Sequence, residues 1–110
     1  MQQVEYDNLI RSLRRGDHQA FRKLYDLYFP KLYQHVINIV KSTSISEDIV
    51  HDTFVVLWEK RKDINESLSL QSYLFTIARN KLFQLIKKAS KESEIADKII
   101  DAAIHYKMAD

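Results

Sequence analysis

A chain of 110 residues with a net charge of +2, 45% apolar and 29% charged, has the size and balance of one globular domain around a single core, not those of a disordered or membrane-embedded chain. One Gly, one Pro and no Cys leave little turn chemistry for a sheet, and exclude disulfides and thiolate metal sites. No apolar run approaches the roughly 20 residues of a bilayer span, and the opening residues are too polar for a secretory signal, so a cytoplasmic protein with no membrane partner is expected.

The pattern is helical from end to end. A first helix spans about Gln3 to Arg15, with Val4, Leu9, Ile10 and Leu13 as its apolar residues and Gly16 placed to stop it. Asp17 can cap a second helix carrying Phe21, Leu24, Tyr25 and Tyr28. Pro30 lacks an amide donor and disfavours helix at Phe29, so a kink or short break is expected before Leu32, Val36, Ile37 and Val40 resume the stripe. Ser44 and Glu47 fit a capping box for a third helix ending near Arg61. Lys62 to Ser69 form a loop, Ser69 can cap a fourth helix reaching about Ala89, and Ile95, Ile99, Ile100, Ala103 and Ile104 suggest a fifth, amphipathic one. The expected fold is all-α: one compact bundle of about four helices over residues 1–89, then an acidic linker or helix over 90–110.

Charge is sorted along this chain. Residues 1–43 carry seven basic and four acidic groups, 44–59 carry four acids alone, 67–91 carry five basic groups and no acid, and 92–110 have a net charge of −3. Such a distribution can offer an acidic face to one partner and a basic face to another.

The two central helices have polar faces that say more than solubility requires. In the third, Ile45, Ile49, Val50, Thr53, Phe54, Val56 and Leu57 share one arc, with the only Trp, Trp58, at its edge, where core packing is expected. The opposite arc carries Asp48, His51, Asp52 and Glu59 around Val55, and no Lys or Arg occurs between Ser42 and Glu59. A partner surface accounts for a β-branched residue ringed by carboxylates; a solvated acidic face with one exposed valine is the plainer alternative. In the fourth helix, Leu70, Leu74, Ala78, Leu82, Leu85 and Ile86 face inward. Tyr73, Thr76, Asn80, Gln84 and Lys87 recur outward at three- and four-residue steps, flanked by Arg79, Phe83 and Lys88. Amides and hydroxyls pair with base edges, cations hold phosphates, and aromatics stack on unpaired bases, a combination that suits nucleic acid. A solvated basic helix with amphipathic aromatics at the core margin is the alternative.

Three blocks, AFRKLYDLYFPKLY from Ala20, SEDIVHDTFVVLWEKR from Ser46 and SLQSYLFTIARNKL from Ser69, together resemble region 2 of bacterial RNA polymerase sigma factors of the extracytoplasmic-function class. The likeness covers about Gly16 to Lys88, with the blocks in the family's order and spacing. It implies a helical domain whose acidic helix binds the clamp helices of the largest catalytic subunit of core RNA polymerase, through Asp48, His51, Asp52, Val55 and Glu59. It implies that the following loop and helix recognise and open the minus-ten element of promoter DNA, through Asn65, Ser67 and Ser69 in the loop and Tyr73, Thr76, Arg79, Asn80, Phe83, Gln84, Lys87 and Lys88 on the helix. An anti-sigma factor is a further partner the resemblance allows. No cofactor is implied.

Two departures stand out. The family most often has Gln where this chain has His51; imidazole also offers a donor and an acceptor, but would make the contact pH-dependent. Nothing after Ala89 resembles the helix-turn-helix domain that reads the minus-thirty-five element, so the chain is expected to be a fragment ending in the linker. An enzyme is disfavoured: Asp48 and His51 have the i, i+3 spacing of di-iron bundles, but no second helix repeats it. A helical adaptor or anti-sigma-like module remains as the alternative function; it explains the acidic face but not the polar-aromatic face of the fourth helix.

Overall fold

The computed structural model describes residues 2–89, and all of the regular structure there is helical. Helix α1 spans Gln3–Arg14, α2 His18–Val40, α3 Thr43–Glu59 and α4 Leu70–Ala89, with a 3-10 turn at Arg61–Asp63. The expected fifth helix and the acidic linker lie outside the described residues.

The α1–α2 corner follows from two residues. Gly16 adopts φ +89, and the amides of Gly16 and Asp17 donate to the carbonyls of Leu13 and Ser12 at 2.9 and 3.0 Å, the paired bonds of a Schellman stop. Asp17 then turns its carboxylate onto the new helix, Oδ1 accepting from the amides of Gln19 (2.9 Å) and Ala20 (3.4 Å), a cap contributing about 1 kcal/mol.

Pro30 does not break the second helix: α2 is continuous from His18 to Val40. The lost hydrogen bond and ring clash cost about 3 kcal/mol, which burial on both sides of the proline outweighs. Leu24 and Tyr28 precede it, Leu32 and Val36 follow, and all four are buried on one side while Pro30 itself is exposed. At the start of α3 the cap is Ser42, not Ser44; its Oγ accepts from the amide of Ile45 at 3.3 Å. The third helical position is thus the apolar Ile45, so no Glu or Gln stands there to complete a box with Ser42. Ser46, fully buried, donates its hydroxyl to the Ser42 carbonyl at 2.6 Å, and Thr53 does the same to Ile49 at 2.8 Å, so the polar groups on the inner face of α3 are satisfied. The helix ends at Glu59, two residues early, and the chain tightens into the 3-10 turn before the loop. Ser69 does cap α4, accepting from the amide of Ser72 at 3.2 Å.

Helix α2 packs against α1, α3 and α4, and α3 packs against α4. Leu13, Leu24, Leu32, Val50, Leu57 and Leu74 are fully buried at the centre. Val4, expected on the apolar side of α1, is 70% exposed. Trp58 sits at the core margin as expected: its ring stacks on His18 at 4.7 Å, meets Phe21 edge-on at 5.3 Å, and lies 4.2 Å beneath the Arg61 guanidinium. No helix among the described residues is long and apolar enough to cross a membrane.

Candidate polymerase and nucleic-acid interfaces

On α3, Asp48, His51, Asp52, Val55 and Glu59 are all exposed, Val55 by 52% of its surface. The backbone periodicity that buries Phe54 and Leu57 forces this, because Val55 lies about 100° around the helix from Phe54. His51 is braced from α2. Its Nδ1 lies 3.2 Å from the Tyr25 hydroxyl, and its ring is 5.3 Å from that of Phe29. Burial pushes the Tyr25 phenol up, with Arg22 opposing and Asp26 reinforcing the shift, so its hydroxyl stays protonated at neutral pH. Sequence reading missed this brace because Tyr25 is 26 residues from His51.

On α4, Thr76, Asn80, Gln84, Lys87 and Lys88 are exposed, while Tyr73, Arg79 and Phe83 are half-buried. Tyr73 and Phe83 pack against the core, so the two aromatics divide their surface between core and face. Burial, reinforced by the Asp63 carboxylate, raises the Tyr73 phenol. The Arg79 guanidinium carbon lies 6.0 Å from the Phe83 ring centre. Thr76 donates its hydroxyl back to the Ser72 carbonyl at 2.9 Å, leaving its oxygen's remaining acceptor capacity outward.

Between these helices the loop folds on itself. Asn65 Oδ1 accepts from the Ser67 amide at 2.9 Å and its hydroxyl at 2.7 Å, and the Leu68 amide donates to the Asn65 carbonyl at 3.1 Å. Asn65, Ser67 and Ser69 therefore shape and terminate the loop as well as line it. Ile64, Asn65, Leu68, Ser69, Tyr73 and Thr76 surround a mostly apolar cleft of about 400 Å³ at the start of α4, with Leu68 67% exposed at its rim.

The structure brings together two sets that the sequence separates. Asp48 and Asp52 of α3 share a groove of about 350 Å³ with Gln84 and Lys88 of α4, over a floor that includes Ile45, Ile49 and Leu85. Lys81 joins them there. It was absent from the sequence reading, although its steps of three to Gln84 and seven to Lys88 place all three on one stripe. No carboxylate of α3 pairs with these lysines within 4 Å, so one wall of the groove is acidic and the other basic. Among the described residues no group of three or more His, Asp and Glu gathers as metal ligands would.

The all-helical domain that carries these two faces matches a known family over most of its described length. The model of sigma-70 region 2 matches residues 24–92, and the chain belongs to that family, the domain of transcription-initiation sigma factors. The match begins within α2 and leaves α1 outside it. Within the family the likeness is to extracytoplasmic-function proteins. The ECF RNA polymerase sigma factor SigM of Bacillus subtilis (strain 168) is 26% identical over 78 residues, 71% of this chain and 47% of that protein. The ECF RNA polymerase sigma factor SigW of the same organism is 25% identical over 79 residues, 72% of this chain and 42% of that protein. The chain thus spans about half the length of the curated relatives it matches.

Proposed function

We propose that this chain binds the clamp helices of core RNA polymerase through the outer face of α3 and recognises and helps open the minus-ten promoter element through the 64–69 loop and α4. The observation that carries the reading is the exposed Val55 among Asp48, His51, Asp52 and Glu59, on a helix whose inner face is otherwise buried. An apolar centre within a polar rim is the anatomy of a protein interface.

The DNA half works without covalent chemistry. Lys87 and Lys88 meet phosphates and give salt-dependent affinity. A base leaving the stack enters the cleft at the start of α4, where Tyr73 and Leu68 offer apolar surface and the exposed amide of Asn80, one turn beyond Thr76, reaches a base edge. Unstacking costs a few kcal/mol, so polymerase contacts have to share it. No catalytic group is required.

The test belongs in holoenzyme with opened promoter DNA. Asn80→Ala should weaken the matched minus-ten strand by about 1 to 3 kcal/mol, and a scrambled strand much less, if its contact is bidentate. Equal loss on both strands would remove Asn80 as the reader and leave the loop as the candidate for specificity. An adaptor without DNA recognition would show no salt-dependent binding to either strand.

A further inference from the structure

The loop that lines the base cleft touches a second cluster on its other side. Arg11, Arg14 and Arg15 of α1 and Lys62 of the 3-10 turn surround a pocket of about 360 Å³ with a single carboxylate, Glu66. Glu66 Oε1 lies 2.9 Å from Arg14 Nη1, and Oε2 lies 3.4 Å from Arg11 Nε. Arg15 and Lys62 have no acidic partner within 4 Å among the described residues. Four cations against one acid leave this pocket with a net charge of +3. Complementing the C-terminal dipole of α1 accounts for Arg11 and Arg14, but not for Lys62, which another segment delivers to the same place.

We infer that this cluster is a second surface for the phosphodiester backbone of a single strand, and that Glu66 is its internal counter-ion when no strand is bound. The inference rests on the proposed function, because it supplies the strand. Glu66 stands in the loop between Asn65 and Leu68, both of which line the base cleft, so the cluster adjoins the loop that a strand with a base in that cleft would cross. The phosphate-holding lysines of α4 lie the other way: Lys87 is 14 residues beyond Tyr73, about 21 Å along the helix. Basic groups thus stand both at the loop and far along α4, and a strand with a base in the cleft is held at two separate places. A carboxylate on two partly exposed guanidiniums is a weak bond in water, so a phosphate with more formal contacts, including Arg15 and Lys62, exchanges for it readily. The surface is sequence-independent and adds affinity without adding selectivity.

The experiment is fluorescence anisotropy of the full chain with a labelled minus-ten single strand and a scrambled strand, across a salt series. The variants are Arg15→Ala with Lys62→Ala, Lys87→Ala with Lys88→Ala, Glu66→Gln, and Lys23→Ala as a control for removing an exposed charge on α2. The Arg15, Lys62 pair should weaken both strands alike and make the log–log salt slope shallower by about 1.4, from 0.7 per lost contact on single strands. Glu66→Gln should tighten both strands several-fold, because it removes the one negative charge from the pocket. If the Arg15, Lys62 pair behaves like Lys23→Ala while the Lys87, Lys88 pair flattens the slope, the second surface is overturned and the proposed function stands. If neither pair matters, both fall. Weaker binding by Glu66→Gln would overturn the counter-ion role, since the carboxylate would then only brace the loop.

Discussion

Phe54→Ala should destabilise the domain by about 3 to 5 kcal/mol, a large share of the 5 to 15 kcal/mol that holds a domain of this size together. The ring is 2% exposed and lies at the centre of an aromatic cluster from α2, with centroids 4.7 Å from Tyr25, 6.3 Å from Phe21 and 6.3 Å from Phe29. Truncation leaves a cavity that three other rings cannot jointly collapse into, because Tyr25 and Phe29 are also held against His51. The midpoint of urea unfolding reads the loss, with the slope unchanged. A shift worth less than about 1 kcal/mol would mean that the site repacks and that Phe54 is not the keystone of the α2–α3 contact.

One residue along, the same kind of substitution should do the opposite. Val55→Asp, or Asp52→Lys, should abolish co-elution with core RNA polymerase while leaving helicity and melting temperature nearly unchanged, because both side chains point into solvent. Val55→Asp would place an unpaired carboxylate at the dry centre of an interface, a cost of several kcal/mol if the centre is desolvated. Asp52→Lys adds a third cation to the groove that already holds Lys81 and Lys88. Undiminished binding by both variants would remove α3 as the polymerase contact, and a lowered melting temperature would mean that the loss was one of folding.

These neighbours also show what a sequence can say about such a domain. The opposition of Phe54 and Val55 is a matter of period, and period is local, so the faces of α3 and α4 are legible in the sequence alone. So was the corner at Gly16 and Asp17, where stop and cap signals follow one another directly. The short break expected at Pro30 is absent because a local cost of about 3 kcal/mol is set against burial on either side of it, which only the packed bundle reveals. Ser42 and Ser44 are both plausible caps, and the choice between them fell to where α2 ended. The Arg14–Glu66 pair, the brace of Tyr25 on His51 and the groove shared by Asp52 and Lys88 had no local signal, since each joins residues far apart along the chain. Lys81 differs from these, because it lies on the same stripe as Gln84 and Lys88 and spacing alone places it there.

The lone glycine has a reach that its position does not advertise. At Gly16 a β-carbon would find room, the nearest atom being Arg61 Nε at 3.6 Å, so any other residue there is penalised by its φ of +89 and not by crowding. That angle aims α1, and α1 carries both guanidiniums that hold Glu66. One backbone angle is thus tied, through α1 and its two guanidiniums, to a loop fifty residues further along the chain. In a genetic selection for altered promoter use, alleles at Gly16 would score alongside those at Asn80, although the glycine is on neither of the two proposed faces.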